Sequence, residues 1–146
     1  MKINLKRIND DYLFKATNDR GHEIVMDNKT KEEGFVQGVS PMETLLMGLA
    51  GCSSIDIIYI LKKQKLNPEV LKMEVEGFRK SDEVPALFHT ITIVIYIEGN
   101  LPAEKVQRAA DLSFEKYCSV SKTLEPTAKI IYNFSKENEN LKIIAG

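Results

Sequence analysis

Cysteine and histidine, which mark many catalytic and metal-binding sites, are rare in this sequence. It has only two cysteines and two histidines in 146 residues, and its net charge is −1. A charge this close to zero gives no indication of a nucleic acid or of an acidic partner. The first residues alternate between apolar and polar or charged side chains. They therefore lack the apolar core of a secretory signal, and we expect no such signal. Two cysteines without such a signal predict a cytoplasmic protein, in which a cysteine pair is catalytic or simply buried rather than a permanent crosslink.

Long apolar runs are also missing. The most apolar window, residues 45–61, contains Ser53, Ser54 and Asp56. It is shorter than the roughly 20 residues that a membrane-spanning helix needs, so we expect a buried helix and no membrane partner. The chain has no repeat, no low-complexity segment and no linker, and it is long enough to bury a core. It is therefore predicted to form a single domain, 1–146.

The N-terminal half is predicted to form short strands and then one long helix. Alternating apolar and polar residues indicate a strand at 3–8, and runs separated by turn residues indicate further strands at 12–16 and 22–26. The segment Ser40-Pro41-Met42-Glu43 has the pattern of a capping box with proline at the first helical position. It predicts a helix from Pro41 to about Lys65. Apolar residues occupy nearly its whole circumference, so we expect it at the centre of the protein.

The C-terminal half is predicted to be mostly β-structure around a second helix. This helix begins at Pro102 and ends near Tyr117. Strands are expected at 70–79, 88–98, 129–134 and, at an edge, 141–144, and the run 90–97 consists of strongly β-prone residues. The resulting order, βββ-α-ββ-α-β, is typical of an α+β fold.

The two cysteines, Cys52 and Cys118, lie in the first helix and at the end of the second. The thiolate is the nucleophile, and at a reference pKa near 8.5 only about 3% of a free thiol is ionised at neutral pH. Cys52 is mid-helix, so its thiolate would need a cationic side chain from elsewhere. The alternative is that each cysteine is a small buried hydrophobe. Their separation of 66 positions does not decide between these interpretations.

Two motifs together resemble a known family. The first is the helix segment from Pro41 to Cys52, with ten residues between them, and the second is Cys118-Ser119-Val120-Ser121. They resemble the OsmC/Ohr family of osmotically induced and organic-hydroperoxide-resistance proteins. The resemblance implies an α+β fold with antiparallel sheets around two long central helices. It also implies an intertwined homodimer with two equivalent sites at the subunit interface.

The resemblance further implies a redox-active cysteine pair used in oxidative stress defence. Cys52 would attack a hydroperoxide, and the resulting sulfenic acid would condense with Cys118 to a disulfide. A dithiol reductant, lipoyl-type in the Ohr branch, would restore both thiols by exchange. No cofactor and no metal is expected, because His22 and His89 lack a second ligand at a metal-binding spacing. His22 is a candidate pocket residue, whereas His89 is expected to be an ordinary sheet residue.

The residues expected to support the attacking thiol depart from the family pattern. Family members use an Arg to stabilise the thiolate and a Glu to hold that Arg. Arg20 is the candidate Arg, and the alternative is a solvated turn residue. Met42 stands where the Glu normally follows the helix-opening proline. Glu43 is therefore either the catalytic carboxylate or only a helix cap, and it points nearly opposite to Cys52 on a helix.

One further acidic residue, Asp56, follows Cys52 by four positions and so shares its helix face. It could orient an Arg, raise the pKa of a nearby thiol by repulsion, or be a buried hydrogen-bonded carboxylate. Met42 also keeps a second function open, a non-peroxidatic OsmC-like dimer that binds a small apolar or thiol ligand at its interface. A third interpretation is a structural domain with inert thiols.

Overall fold

A computed structural model describes residues 1–28 and 34–135. The chain divides into two compact units, the first from Met1 to Leu45 and the second beginning at Leu46. The predicted edge strand at 141–144 lies outside the described residues. The α+β class is confirmed. The other predicted strands and the first predicted helix are found with small changes at their ends, whereas the second predicted helix is divided.

The N-terminal unit contains a three-stranded antiparallel sheet in the order β1-β2-β3. The strands are β1 (Ile3–Arg7), β2 (Phe14–Asn18) and β3 (Glu23–Met26). Asn18 shapes the turn between β2 and β3, since its side-chain oxygen accepts hydrogen bonds from the backbone N–H groups of Arg20 and His22. Gly21 has a φ of +83°, which glycine adopts without strain.

Helix α1 (Pro41–Lys63) begins with the predicted capping box. The backbone N–H of Ser40 donates to Glu43 Oε2 at 2.8 Å, and the N–H of Glu43 donates to Ser40 Oγ at 3.2 Å. Two N–H groups that the first helical turn would leave unpaired are thereby satisfied. After the helix, Lys65 has a φ of +60°, which turns the chain away from the helix axis.

Helix α1 is buried along one stripe only. The stripe repeats every four residues and consists of Leu49, Ser53, Ile57 and Leu61. The other side exposes apolar side chains, and Ile55 is 69% exposed. The prediction that α1 is buried on all sides is therefore not met within one chain. The whole helix is also long and apolar enough to cross a membrane, whereas the apolar window 45–61 was expected to be too short. Core helices of soluble proteins meet the same criterion of length and composition.

The C-terminal unit contains a second three-stranded sheet, in the order β4-β5-β6. Its strands are β4 (Val70–Arg79), β5 (Phe88–Glu98) and β6 (Lys129–Ser135). β4 and β5 pair antiparallel, whereas β5 and β6 pair parallel. The expectation of purely antiparallel sheets is therefore wrong for one pair. The reason is the connection between β5 and β6, a helical crossover that returns the chain to the end at which β5 began.

This crossover contains three helical segments instead of the one predicted. They are α2 (Ala103–Leu112), a π-helical turn (Ser113–Tyr117) and α3 (Ser119–Leu124). The helix expected to end near Tyr117 thus loses its α-helical pattern at Ser113, and a new helix follows Cys118. Isoleucines of β5 form the centre of the core, together with the buried stripe of α1 and Ala109 and Ala110 of α2.

Candidate functional site

Cys52 lies on α1 next to the buried stripe and is partly exposed. The following residue, Ser53, is fully buried and donates its hydroxyl to the Leu49 carbonyl at 2.8 Å. Asp56, one turn further along, is on the same face as Cys52 and is also partly exposed. The spacing of four residues therefore places a thiol and a carboxylate side by side, as the sequence predicted.

Cys118 is held by the break between the π-helical turn and α3. Its backbone is extended, with φ −68° and ψ 101°, and its N–H donates to the Ser113 carbonyl at 2.8 Å. Its sulfur accepts a hydrogen bond from the backbone N–H of Ser121 at 3.4 Å, which makes the thiol the N-cap of α3. The side chain has no exposed surface. Single π-helical turns occur frequently at functional sites.

These segments bring three reactive side chains together. The sulfurs of Cys52 and Cys118 and a carboxylate oxygen of Asp56 all lie within 4.8 Å of one another. Ser113 Oγ lies 3.4 Å from Asp56 Oδ2 and 3.4 Å from the carbonyl of Ser53, so the hydroxyl connects α1 to the π-helical turn. Two cysteines that are 66 positions apart in the sequence therefore meet at one site.

The environment of Cys118 opposes ionisation of its thiol. Burial is the main cause, and the neighbouring Cys52 thiol and Asp56 carboxylate act in the same direction, so the pKa of Cys118 rises to about 12. The hydrogen bond from the Ser121 N–H offsets part of this rise. Of the interpretations open for Asp56, the structure supports two: repulsion acting on a thiol, here Cys118, and a hydrogen-bonded carboxylate.

The two thiols therefore differ in ways that suit different roles. Cys52 is partly accessible to a small molecule, whereas Cys118 is buried and protonated at neutral pH. A disulfide requires the sulfurs to approach to about 2.05 Å, which here means a movement of roughly 3 Å or less. Rotation of cysteine side chains supplies a movement of this size. The arrangement can accordingly support attack by one thiol and resolution by the other.

A cavity of about 360 Å³ extends from Asp56. Its wall is formed by Asp56, Tyr59, Ile60, Lys63, Gln64, Leu112 and Tyr117. Lys63 Nζ lies 4.4 Å from the centre of the Tyr59 ring, a cation–π contact on this wall. The sequence does not indicate this cavity, because α1 and the crossover form it jointly.

The remaining candidate residues belong to the N-terminal unit or to the sheet surface. Arg20 is exposed in the turn between β2 and β3, and its support of a thiolate stays a prediction. Glu43 accepts a hydrogen bond in the capping box, so its capping role is confirmed and its catalytic role stays a prediction. His22 Nδ1 lies 3.3 Å from the Asn18 amide nitrogen, and His89 Nδ1 lies 2.9 Å from Thr90 Oγ1.

Comparison with known proteins identifies the family. A model described as "OsmC-like protein" matches residues 31–133, which contain both cysteines. The chain belongs to the OsmC-like protein family. The resemblance noted from its two cysteine motifs is thereby confirmed. Protein YhfA of Escherichia coli strain K12 is 35% identical over 122 residues, which are 83% of this chain and 87% of YhfA.

Solved structures of OsmC-like proteins have the same fold. An OsmC-like protein from Mycoplasma pneumoniae is 21% identical, with a TM-score of 0.77 over 93% of this chain and 97% of that one. The organic hydroperoxide resistance protein OhrB of Bacillus subtilis is 18% identical, with a TM-score of 0.68 over 92% and 98%. At these identities the likeness concerns the fold alone, so the function of the OsmC-like chain has to be argued from its own site.

Proposed function

We propose that this OsmC-like protein is a cytoplasmic thiol peroxidase that reduces organic hydroperoxides. The observation that supports it most directly is the approach of the Cys52 and Cys118 sulfurs to within 4.8 Å. Membership of a family with redox and stress-response members agrees with it. The cytoplasm would keep both thiols reduced between turnovers. Fractionation that finds the protein outside the cytoplasm would contradict that location.

In the first step, Cys52 acts as the attacking thiol because it is the accessible member of the pair. Its thiolate sulfur bonds to the distal oxygen of the hydroperoxide while the O–O bond breaks. The leaving alkoxide takes up a proton and departs as an alcohol. Cys52 is then a sulfenic acid, which has given two electrons to the substrate. Arg20 is proposed to favour the thiolate in this step.

In the second step, the Cys118 sulfur attacks the sulfenic sulfur of Cys52. An S–S bond forms, the S–OH bond breaks, and the hydroxide leaves as water with the proton of Cys118. Because the raised pKa of Cys118 keeps this thiol protonated, it does not compete with Cys52 for the hydroperoxide. A dithiol reductant, proposed to be of the lipoyl type, then exchanges with the disulfide and restores both thiols.

We further propose that the protein acts as a homodimer. The exposed side of α1 carries large apolar residues, namely Leu45, Met47, Ile55 and Tyr59. Contiguous apolar surface of this kind marks interaction sites, and symmetric self-association is the commonest way to cover it. A second copy of α1 is the occupant proposed, in preference to a membrane.

The peroxidase proposal is tested by counting thiols. Reduced protein is mixed with one equivalent of cumene hydroperoxide in the presence of a chelator, and free thiols are titrated over time. We expect two thiols lost per chain in the native protein and none in Cys52→Ser. In Cys118→Ser we expect a sulfenic acid that a 1,3-diketone reagent traps. Ser54→Ala, two positions along α1, serves as the control and should behave like the native protein.

The same experiment separates peroxidase from the alternative function. Glu43 is engaged in the helix cap, and Met42 stands where a supporting carboxylate is expected. These two observations favour a dimer that binds a small apolar or thiol ligand without reducing it. If native protein loses thiols no faster than Cys52→Ser, the peroxidase proposal fails. Protection of Cys52 from alkylation by a bound thiol compound would then support the binding function.

A further inference from the structure

The cluster of Cys52, Asp56 and Cys118 has the donor atoms of a metal site. We propose that these three side chains bind a thiophilic divalent cation, with Zn²⁺ as its representative. Two sulfurs and one carboxylate oxygen lie within 4.8 Å of one another. Around a tetrahedral Zn²⁺, bond lengths of about 2.3 Å to sulfur and 2.1 Å to oxygen place the donors roughly 3.5–3.8 Å apart. A contraction of about 1 Å therefore closes the cluster around an ion.

The positions of the ligands in the fold suit this contraction. Cys52 and Asp56 are four residues apart on one helix face, a spacing at which two side chains of a helix hold the same ion. Cys118 comes from the break between two helical segments, where its backbone is fixed by a hydrogen bond to the Ser113 carbonyl. Only side-chain rotation is therefore needed to bring the three donors together.

Neighbouring groups orient the donors, as outer partners do in known metal sites. Ser113 Oγ lies 3.4 Å from Asp56 Oδ2 and donates a hydrogen bond to it. The Ser121 N–H donates to the Cys118 sulfur at 3.4 Å. The carboxylate of Asp56 and the sulfur of Cys118 each keep further lone pairs with which to bind an ion. Asp56 also lines the cavity of about 360 Å³, so one of the three ligands borders an open space.

The chemistry of the donors selects the class of ion. Two thiols favour Zn²⁺ and similar soft or borderline cations over Mg²⁺ and Ca²⁺, which prefer oxygen ligands. Binding forms two metal–sulfur bonds and one metal–oxygen bond, and each thiol releases its proton to solvent. Three protein ligands leave a fourth position for water. An ion bound in this way occupies the sulfur of Cys52, so it would block the reaction with a hydroperoxide until a chelator removes it.

The proposal is tested on the full-length reduced protein, without any activity measurement. Co²⁺ is added as a spectroscopic probe and Zn²⁺ as a competitor, and dialysed protein is analysed for bound metal. We expect one ion per chain, thiolate-to-cobalt charge-transfer absorption, and displacement of Co²⁺ by Zn²⁺. Cys52→Ser and Cys118→Ser should lose the absorption. Asp56→Asn should weaken binding by at least roughly tenfold, whereas the exposed loop variant Asp82→Asn should bind like the native protein.

A second measurement avoids variants that could misfold. In the native protein, Zn²⁺ should slow alkylation of Cys52 by iodoacetamide, and a chelator should restore the rate. Absence of metal binding by the native protein, binding unchanged in both cysteine variants, or binding unchanged in Asp56→Asn would each overturn the three-ligand site. Because the peroxidase test is run with a chelator, a failure of this proposal and a failure of the peroxidase proposal give different results.

Discussion

The two sheets in the described part of the chain each have three strands but differ in what they bury. In the C-terminal sheet, β5 contributes Ile91, Ile93 and Ile95, and each is completely buried. In the N-terminal sheet, every residue of β1 is exposed, and Leu5 is 59% exposed. The C-terminal sheet therefore has a core within the chain, whereas β1 of the N-terminal sheet presents apolar side chains to its surroundings.

This difference separates stability from assembly. Cys52, Asp56 and Cys118 all belong to the C-terminal unit, which has the buried core. Close-packed side chains in this unit hold the three residues within reach of one another. The Arg20 turn belongs to the N-terminal unit. The exposed apolar side of α1 is where the proposed second copy of the chain would bury apolar area.

The largest expected effect concerns the core of the C-terminal sheet. We expect Ile93→Ala to lower the free energy of unfolding by about 3 kcal/mol, because it removes buried methyl and methylene groups and leaves a cavity. The measurement is chemical denaturation followed by circular dichroism. The matched variant Leu5→Ala should change the free energy by less than about 0.5 kcal/mol. An equal loss from both variants would show that β1 is covered by something outside the chain.

The sequence predicted the secondary structure well where local signals were strong. Turn residues and β-prone runs identified the strands, and Ser-Pro-Met-Glu identified the first turn of α1, because a capping box depends only on neighbouring residues. Two features required tertiary contacts. The parallel pairing of β6 depends on the path of the crossover, and the π-helical turn at Ser113–Tyr117 interrupts a segment whose apolar spacing resembles a continuous helix.

The site was predictable only in part. The i, i+4 relation between Cys52 and Asp56 could be read directly, since helix geometry fixes it. The prediction that Cys118 lies close to Cys52 came only from the family resemblance, because spacing in the sequence carries no information on contacts across 66 positions. The cation expected beside the reactive thiol could not be identified from the structure of one chain, and the role of Arg20 stays a prediction.

A smaller effect is expected on assembly. Ile55→Asp places a charge on the exposed apolar side of α1, where the residue is 69% exposed within one chain. Burying an unpaired carboxylate in an interface should weaken the proposed dimer by about 2 kcal/mol or more. We expect native protein to sediment as a dimer and Ile55→Asp to show a monomer fraction. Val84→Asp makes the same type of change at a 99% exposed loop position and should leave the dimer intact.

Sedimentation of both variants as intact dimers would place the interface elsewhere than on α1. Sedimentation of the native protein as a monomer at every concentration would contradict the dimer itself. The folded content of Ile55→Asp, measured by circular dichroism, should stay close to that of the native protein. The comparison between the two sheets then becomes sharper, because loss of assembly without loss of the core shows that the two properties are carried by different residues.

The smallest effect concerns the pH dependence of stability, and it depends on the buried thiol of Cys118. The pKa of this thiol rises from 9.0 to about 12 in the folded protein. Between these values the unfolded chain loses the proton while the folded chain keeps it. The contribution of Cys118 is therefore complete below about pH 9 and is lost as pH rises toward 12, with a slope of up to about 1.4 kcal/mol per pH unit.

The measurement compares native protein with Cys118→Ala between pH 7.5 and about 10, with a chelator present to keep the cluster free of metal. We expect the native stability curve to fall more steeply than that of the variant above about pH 9, with a difference of about 1.4 kcal/mol at pH 10. Parallel curves would mean that Cys118 ionises as readily in the folded protein as in the unfolded chain. Cys118 would then be able to compete with Cys52 for the hydroperoxide, and the assignment of separate attacking and resolving roles would lose its electrostatic basis.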